Sequence, residues 1–231
     1  MISNNQMTLT FQENDEITLW LAGSGTATID WGDGTSETFT LSAFSEKRLR
    51  QETKKFKYRH SHFYPDNSTH TITISVENEV RGITHFCCRE NQLTELDVSN
   101  NKTLLYLDCT VNQLTNLDVS KNTALTQLLC WANEITSLEV SNNTNLVWLS
   151  CSGNKISSLD VSKNTKLKVL QCINNRLASL DVKNNTALVQ LNCSLEKVSS
   201  LDVSKNTALV ELECTYNNLS SLDRSDMYCA D

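Results

Sequence analysis

Leu104-Leu105-Tyr106-Leu107-Asp108-Cys109-Thr110-Val111-Asn112-Gln113-Leu114-Thr115-Asn116-Leu117-Asp118-Val119-Ser120-Lys121-Asn122-Thr123-Ala124 is one unit of a repeat that fills two-thirds of the chain. One period of 21 residues later, Leu125, Leu128, Cys130, Asn133, Ile135, Leu138 and Val140 stand where Leu104, Leu107, Cys109, Asn112, Leu114, Leu117 and Val119 stood. Seven copies begin at Ile83, Leu104, Leu125, Leu146, Leu167, Leu188 and Leu209, and the cysteine returns without slippage at positions 88, 109, 130, 151, 172, 193 and 214. A fixed period of this length marks units that cannot bury an apolar face alone and must stack.

The Leu-x-Cys triplet alternates as a short strand does, which sends Leu107 and Cys109 inward and Tyr106, Asp108 and Thr110 outward. Leu117-Asp118-Val119 alternates in the same way, so each coil should have two extended sides around one narrow core. The unit is too short for an ordinary helix plus two turns. The expected fold is mainly β: a nearly helix-free solenoid of seven coils with a parallel sheet on its concave side, ~30 Å wide at ~4.8 Å per strand. Asn91, Asn112, Asn133, Asn154, Asn175 and Asn217 form an inward amide ladder able to satisfy backbone groups on two coils, with Glu196 breaking the series. Asn101, Asn122, Asn143, Asn164, Asn185 and Asn206 form a second ladder on the opposite turn.

The unit Leu-x-x-Leu-x-Cys-x-x-Asn-x-Leu resembles the leucine-rich repeat, and its second half, Leu-Asp-Val-Ser-x-Asn-Thr, resembles the short type found in internalin-like bacterial surface proteins. The resemblance implies a protein-binding or adhesion module of a secreted or cell-surface bacterial protein. No leader pattern stands at Met1, so either a leader was removed or the chain is intracellular; the resemblance implies the first.

Nine cysteines suggest disulfides at first sight. The seven ladder cysteines occupy a leucine position, however, and a free cysteine behaves as a small buried apolar residue. They are expected to be reduced; Cys87 and Cys229, off the ladder, are the expected reactive thiols. Asp97, Asp118, Glu139, Asp160, Asp181, Asp202 and Asp223 make an acidic stripe. Turn capping is the common use of such residues; a calcium stripe is the alternative. No cofactor or metal site is expected.

Residues 1–80 lack the period and read as strands over Met7–Phe11, Ile17–Leu21, Thr26–Trp31, Glu37–Leu41 and Thr69–Val76. The run Ile29-Asp30-Trp31-Gly32-Asp33-Gly34, followed by His62-Phe63-Tyr64 and His70-Thr71-Ile72-Thr73-Ile74, resembles the PKD-like β-sandwich, with His70 where that family has tyrosine. The resemblance implies an immunoglobulin-like extracellular module. No Pro/Gly-rich linker separates it from the solenoid over 81–231, so the sandwich is expected to be its N-terminal cap. Met227 and Tyr228 are expected to fold over the last coil. His60, His62 and His70 form a weak metal candidate. Ser45–Arg59 is basic, but residues 1–80 carry seven Lys/Arg against eleven Asp/Glu, so a solvated loop is expected there rather than a nucleic-acid site.

The net charge of −7 argues against nucleic acid or anionic membrane as partner, and no apolar run reaches membrane-spanning length. No catalytic motif is present, so the chain is read as a non-enzyme. The outward strand positions concentrate apolar and aromatic residues at Tyr106, Leu129, Trp131, Trp148, Val169 and Ile173, which is the expected partner-binding face. A protein is the expected ligand. A glycan, through ring stacking, is the alternative, as is a purely structural spacer.

Overall fold

A computed structural model describes residues 6–12, 16–44, 59–77 and 82–222. The basic run over 45–58, the boundary at Val80, Asp223, the proposed end cap at Met227 and Tyr228, and Cys229 lie outside the described residues.

The N-terminal region forms β1 (Gln6–Gln12), β2 (Glu16–Gly23), β3 (Gly25–Asp30), β4 (Ser36–Leu41), β5 (Arg59–Phe63) and β6 (Thr69–Val76). These match the expected strands, with β5 added. Strict alternation sends Met7, Leu9 and Phe11 of β1, Ile17, Leu19 and Leu21 of β2, and Ile72, Ile74 and Val76 of β6 into the core. The repeats follow with β7 (Ile83–Cys87), β8 (Leu93–Asp97), β9 (Tyr106–Asp108), β10 (Gln127–Leu129), β11 (Trp148–Ser150), β12 (Val169–Gln171), β13 (Gln190–Asn192), β14 (Ser200–Leu201), β15 (Glu211–Glu213) and β16 (Ser221–Leu222). The described residues contain no helix, and hence none long and apolar enough to cross a membrane.

Two sheets carry the fold. One has the order β4-β3-β6-β1-β8, the other β15-β13-β12-β11-β10-β9-β7-β2-β5. Both run across the expected domain boundary. Strand β2 pairs antiparallel with β7, matching Trp20 to Cys87, Leu21 to Phe86 and Ala22 to His85, while β1 pairs antiparallel with β8, matching Leu9 to Leu96. A single apolar cluster extends from Met7 to Cys214.

In the solenoid the seven strands β7, β9, β10, β11, β12, β13 and β15 lie parallel and in register, so that Leu107, Leu128, Leu149, Leu170, Leu191 and Leu212 form one row. Seven strands bound about six complete turns. The second side of the coil is less regular than the alternation suggests. Among the described residues only β8, β14 and β16 are strands there. The middle coils join through single bonds, such as Glu134 N–H to Leu114 O at 2.9 Å and Lys155 N–H to Ile135 O at 2.8 Å. Leu117, Val119 and their equivalents are nevertheless buried. Side-chain amides do the joining that a second ladder of backbone bonds would otherwise do.

Every coil turns its corner through a left-handed residue. Glu90, Val111, Ala132, Gly153, Asn174, Leu195 and Tyr216 all have φ between 53° and 63°. For valine this is an uncommon and costly conformation.

Candidate functional site

The first amide ladder works as a set of three-way clamps. Asn154 donates through Nδ2 to Cys130 O at 3.0 Å and Cys151 O at 2.9 Å, and accepts from Ile135 N–H at 3.0 Å. Asn112, Asn133, Asn175 and Asn217 repeat the pattern. Asn91 performs it on the N-terminal region instead: its Oδ1 accepts from Thr18 N–H and its Nδ2 donates to Thr18 O, both at 2.8 Å. Strand β2 thus receives the contacts that a preceding coil would receive.

Glu196 does not turn outward. It is 5% exposed and keeps the acceptor half of the clamp, taking Asn175 N–H at 2.6 Å and Leu177 N–H at 2.8 Å. It has no amide to offer Cys172 O and Cys193 O. Burial pushes its carboxyl above the ordinary range, and the two backbone donors partly oppose this. The second amide ladder also bridges coils, as in Asn122 Nδ2 to Val98 O and Asn101 O, both at 2.8 Å.

The acidic stripe caps turns. Asp97, Asp118, Asp160 and Asp202 each accept from the backbone N–H of the serine two residues on, at 2.8–3.0 Å, and Glu139 and Asp181 do the same for Ser141 and Lys183. Those hydrogen bonds hold the carboxyls of Asp118, Asp160 and Asp202 below their usual range. Among the described residues no group of three or more His, Cys, Asp or Glu is placed to hold a metal ion. The three histidines each take a carboxylate: His60 pairs with Glu37 at 3.0 Å, His62 with Asp33 at 2.7 Å and His70 with Asp66 at 3.1 Å. His62 also stacks on Trp31, and Tyr64 donates to Trp31 O at 2.6 Å, which draws the Trp-Gly-Asp-Gly turn and the His-x-Tyr segment together.

Cys88, Cys109, Cys130, Cys151, Cys172 and Cys193 are free and buried, as expected of core residues. Burial pushes their thiols up, to about 12 for Cys151 and Cys193. Two cysteine expectations are corrected. Cys214 is disulfide-bonded. It sits beside the last strand of the sheet, where no further described coil covers it. Cys87 is not a reactive thiol: it is 3% exposed, and desolvation and the Asp108 carboxylate raise it to about 12.

On the outward sheet face, Trp131 is 44% and Trp148 38% exposed, on neighbouring coils. Trp148 pairs with Gln127, four residues before Trp131, so the two rings stand on a diagonal of roughly 14 Å with Leu129 between them. Leu129, Val169 and Ile173 are half-buried in the same face. Tyr106 is the correction. It holds an outward position but is 9% exposed, stacked on His85 at 5.9 Å, with Phe44 on that imidazole's ring at 4.4 Å. Its hydroxyl donates to Asp108 Oδ2 at 3.3 Å, while Thr110 N–H and Oγ1 donate to Oδ1 at 3.2 and 2.8 Å. The outward residues of the first two coils are thus a closed polar cluster, and the accessible patch starts on the strand after them.

Sequence reasoning missed the N-terminal continuation of this face. Pairing places Arg59 and Trp20 in the row that continues through Cys87, Asp108 and Leu129. The available signal was the polar side of β2, where Glu16 and Thr18 lead to a tryptophan.

No family model and no curated protein matches the chain. Among solved structures it is similar to the functional domain of InlJ from Listeria monocytogenes, which includes a cysteine ladder: 39% identity and a TM-score of 0.52, over 61% of this chain and 36% of that one. It is also similar to internalin C2 of Listeria monocytogenes, at 20% identity and a TM-score of 0.50, over 61% of this chain and 74% of that one. The second likeness shows the fold alone. The chain spans 36% of the length of the InlJ domain it matches, and its neighbours in structure are leucine-rich repeat proteins of the internalin type.

Proposed function

We propose that the chain is a non-enzymatic protein-binding module of a secreted or cell-surface bacterial protein, acting through the concave sheet face of the solenoid. The observation that carries this is the pair of exposed tryptophans, Trp131 and Trp148, on a sheet held by fixed register and amide clamps. Leu129, Val169 and Ile173 complete the patch. Exposed aromatic residues on a rigid support are the usual anchors of protein interfaces, and truncating one commonly costs ~2 kcal/mol or more of binding. The N-terminal strands act as the solenoid's cap, a reading supported by the β2–β7 and β1–β8 pairings and by Asn91. Their PKD-like character is supported by the packing of Trp31, His62 and Tyr64.

The test is affinity capture from host-cell and bacterial-community extracts with the wild type, a Trp131→Ala/Trp148→Ala double variant and an Asp160→Ser control. A protein retained by wild type and control but lost from the double variant is then purified and its Kd measured against all three. A folded double variant that binds as wild type places the interface elsewhere.

A further inference from the structure

The outward face of the nine-stranded sheet ends, on the N-terminal side, in a notch of about 170 Å³ between β2, β5 and the first corner of the solenoid. Trp20 lines it, with Arg59 from the neighbouring strand and Arg89 from the corner, whose guanidinium carbon lies 6.0 Å from the centre of the indole. Glu16 and Glu90 complete its charged rim. We propose that this notch is a binding site for an acidic monosaccharide unit of the uronic-acid class. The sugar ring packs against Trp20, its carboxylate lies between Arg59 and Arg89, and its hydroxyls donate to Glu16 and Glu90.

Three observations carry the assignment. The first is hydrogen-bonding capacity. Arg59 Nη2 donates to Thr18 Oγ1 at 3.2 Å and stands 3.5 Å from Glu16 Oε1, and Arg89 Nε stands 3.7 Å from Glu90 Oε1. Both ion pairs are longer than charge-assisted bonds, which form at ~2.8 Å, and their side chains are more than a third exposed. Each guanidinium has five N–H donors, so both retain donors for an incoming carboxylate.

The second is the mixture of signs. Two cations and two carboxylates around one indole suit a ligand that brings both an anionic group and several hydroxyl donors. An acidic peptide side chain would use the arginines but bring no hydroxyls to the carboxylates of Glu16 and Glu90. The size agrees: the notch is smaller than the ~300 Å³ at which pockets for larger ligands begin, and it fits one ring.

The third is rigidity. Asn91 clamps both polar groups of the Thr18 backbone, so the wall from β2 and the wall from the corner are fixed relative to each other. Glu90 and Gln92, on either side of Asn91, have φ of 58° and 54°. Later corners each carry one left-handed residue; this one carries two. Strain of this kind is retained where surrounding contacts over-determine the backbone, and a pre-formed site loses less on binding.

The site is separate from the Trp131/Trp148 patch, and its test leaves that reading untouched. The whole 231-residue chain is titrated with D-glucuronate while the Trp20 indole N–H is followed by NMR, assigned through Trp20→Phe. D-glucose, acetate and N-acetyl-L-glutamate are the comparators. Saturable binding with a Kd on the order of 1 mM is expected for one sugar ring. Arg59→Gln and Arg89→Gln should each weaken it about tenfold, the size of one lost hydrogen bond to a charged group, and Trp131→Ala should leave it unchanged. The arginine variants retain the indole and so separate lost binding from lost fold. The proposal is overturned by any of three results: no saturation at tens of millimolar, equal affinity for D-glucose, or tighter binding of N-acetyl-L-glutamate. It is equally overturned if the arginine variants bind as wild type.

Discussion

The solenoid and the N-terminal strands bury one continuous core by opposite means. In the solenoid each coil meets its neighbours through the same side chains: a leucine row, a cysteine row and an amide that clamps two turns. The N-terminal strands repeat nothing. Their order β4-β3-β6-β1 joins residues far apart in the chain, and their aromatic residues interlock in contacts that never recur, such as that of Phe11 with Tyr64 at 4.8 Å. A repetitive stack can grow but cannot end itself, because its terminal coil presents an apolar face. An irregular sandwich can end it, because β1 and β2 offer strand edges to β8 and β7. The comparison predicts that the solenoid depends on the sandwich for its fold.

Removing residues 1–75 breaks that relation most severely. It would leave Phe86, Leu93 and Leu96 uncovered and strip β7 and β8 of their antiparallel partners. The truncated chain should lose its cooperative melting transition or precipitate, whereas the whole chain should show one transition by far-UV circular dichroism and by tryptophan fluorescence alike. Two separated transitions in the whole chain would mean that the regions fold independently.

Within the stack, the amide clamp is the sharpest probe. Asn154→Ala removes two donors from Cys130 O and Cys151 O and one acceptor from Ile135 N–H, all buried. At ~1 kcal/mol per net hydrogen bond the loss should be about 3 kcal/mol by urea denaturation. The same change at exposed Asn116 should cost a few tenths of a kcal/mol.

Glu196 tests the clamp in the other direction. Glu196→Asn restores the donor that every other coil possesses, and should stabilise by ~1–2 kcal/mol near neutral pH. The pH dependence fixes the cause. The folded carboxyl titrates above its unfolded value, so its stabilising contribution is full below the unfolded value and is lost as pH rises through the folded one. The advantage of Glu196→Asn should therefore shrink as the pH falls toward 4. An advantage independent of pH would show that shape, and not charge, sets the cost.

How much of this was legible in the chain follows the same division. The parallel sheet, the buried cysteines and both amide ladders could be read because a period repeats one instruction seven times. The N-terminal strands could be located from their alternation, but nothing local in β2 states that Trp20 lies opposite Cys87. The notch formed by that pairing was accordingly invisible. Tyr106 shows the limit at a single site: alternation correctly placed it on the outward face, yet His85 covers it from the neighbouring strand and Asp108 takes its hydroxyl from two residues on in its own. Glu196 was legible as an exception but not in its direction, since an inward carboxylate and an outward one leave the same letter in the sequence. The corners were not legible at all, because valine, alanine, glycine and asparagine share one backbone conformation there.

That last feature supplies the smallest effect. Val111 holds φ of 53°, a conformation that costs a β-branched residue roughly 1–2 kcal/mol, while its side chain is 38% exposed and so returns little by burial. Asn174 occupies the equivalent corner three coils later at φ 56°. Val111→Asn should therefore stabilise by about 1 kcal/mol, since asparagine tolerates this region at low cost. Gly153→Ala makes the complementary test. A Cβ there would meet Ala132 N and Cα at 3.5 and 3.6 Å, which is ordinary contact, so its cost isolates the backbone conformation from any clash. A loss near 1 kcal/mol for Gly153→Ala with no gain for Val111→Asn would mean that Val111 recovers its strain through packing against the closed cluster around Asp108. In that case the first two coils belong, mechanically, with the sandwich rather than with the stack.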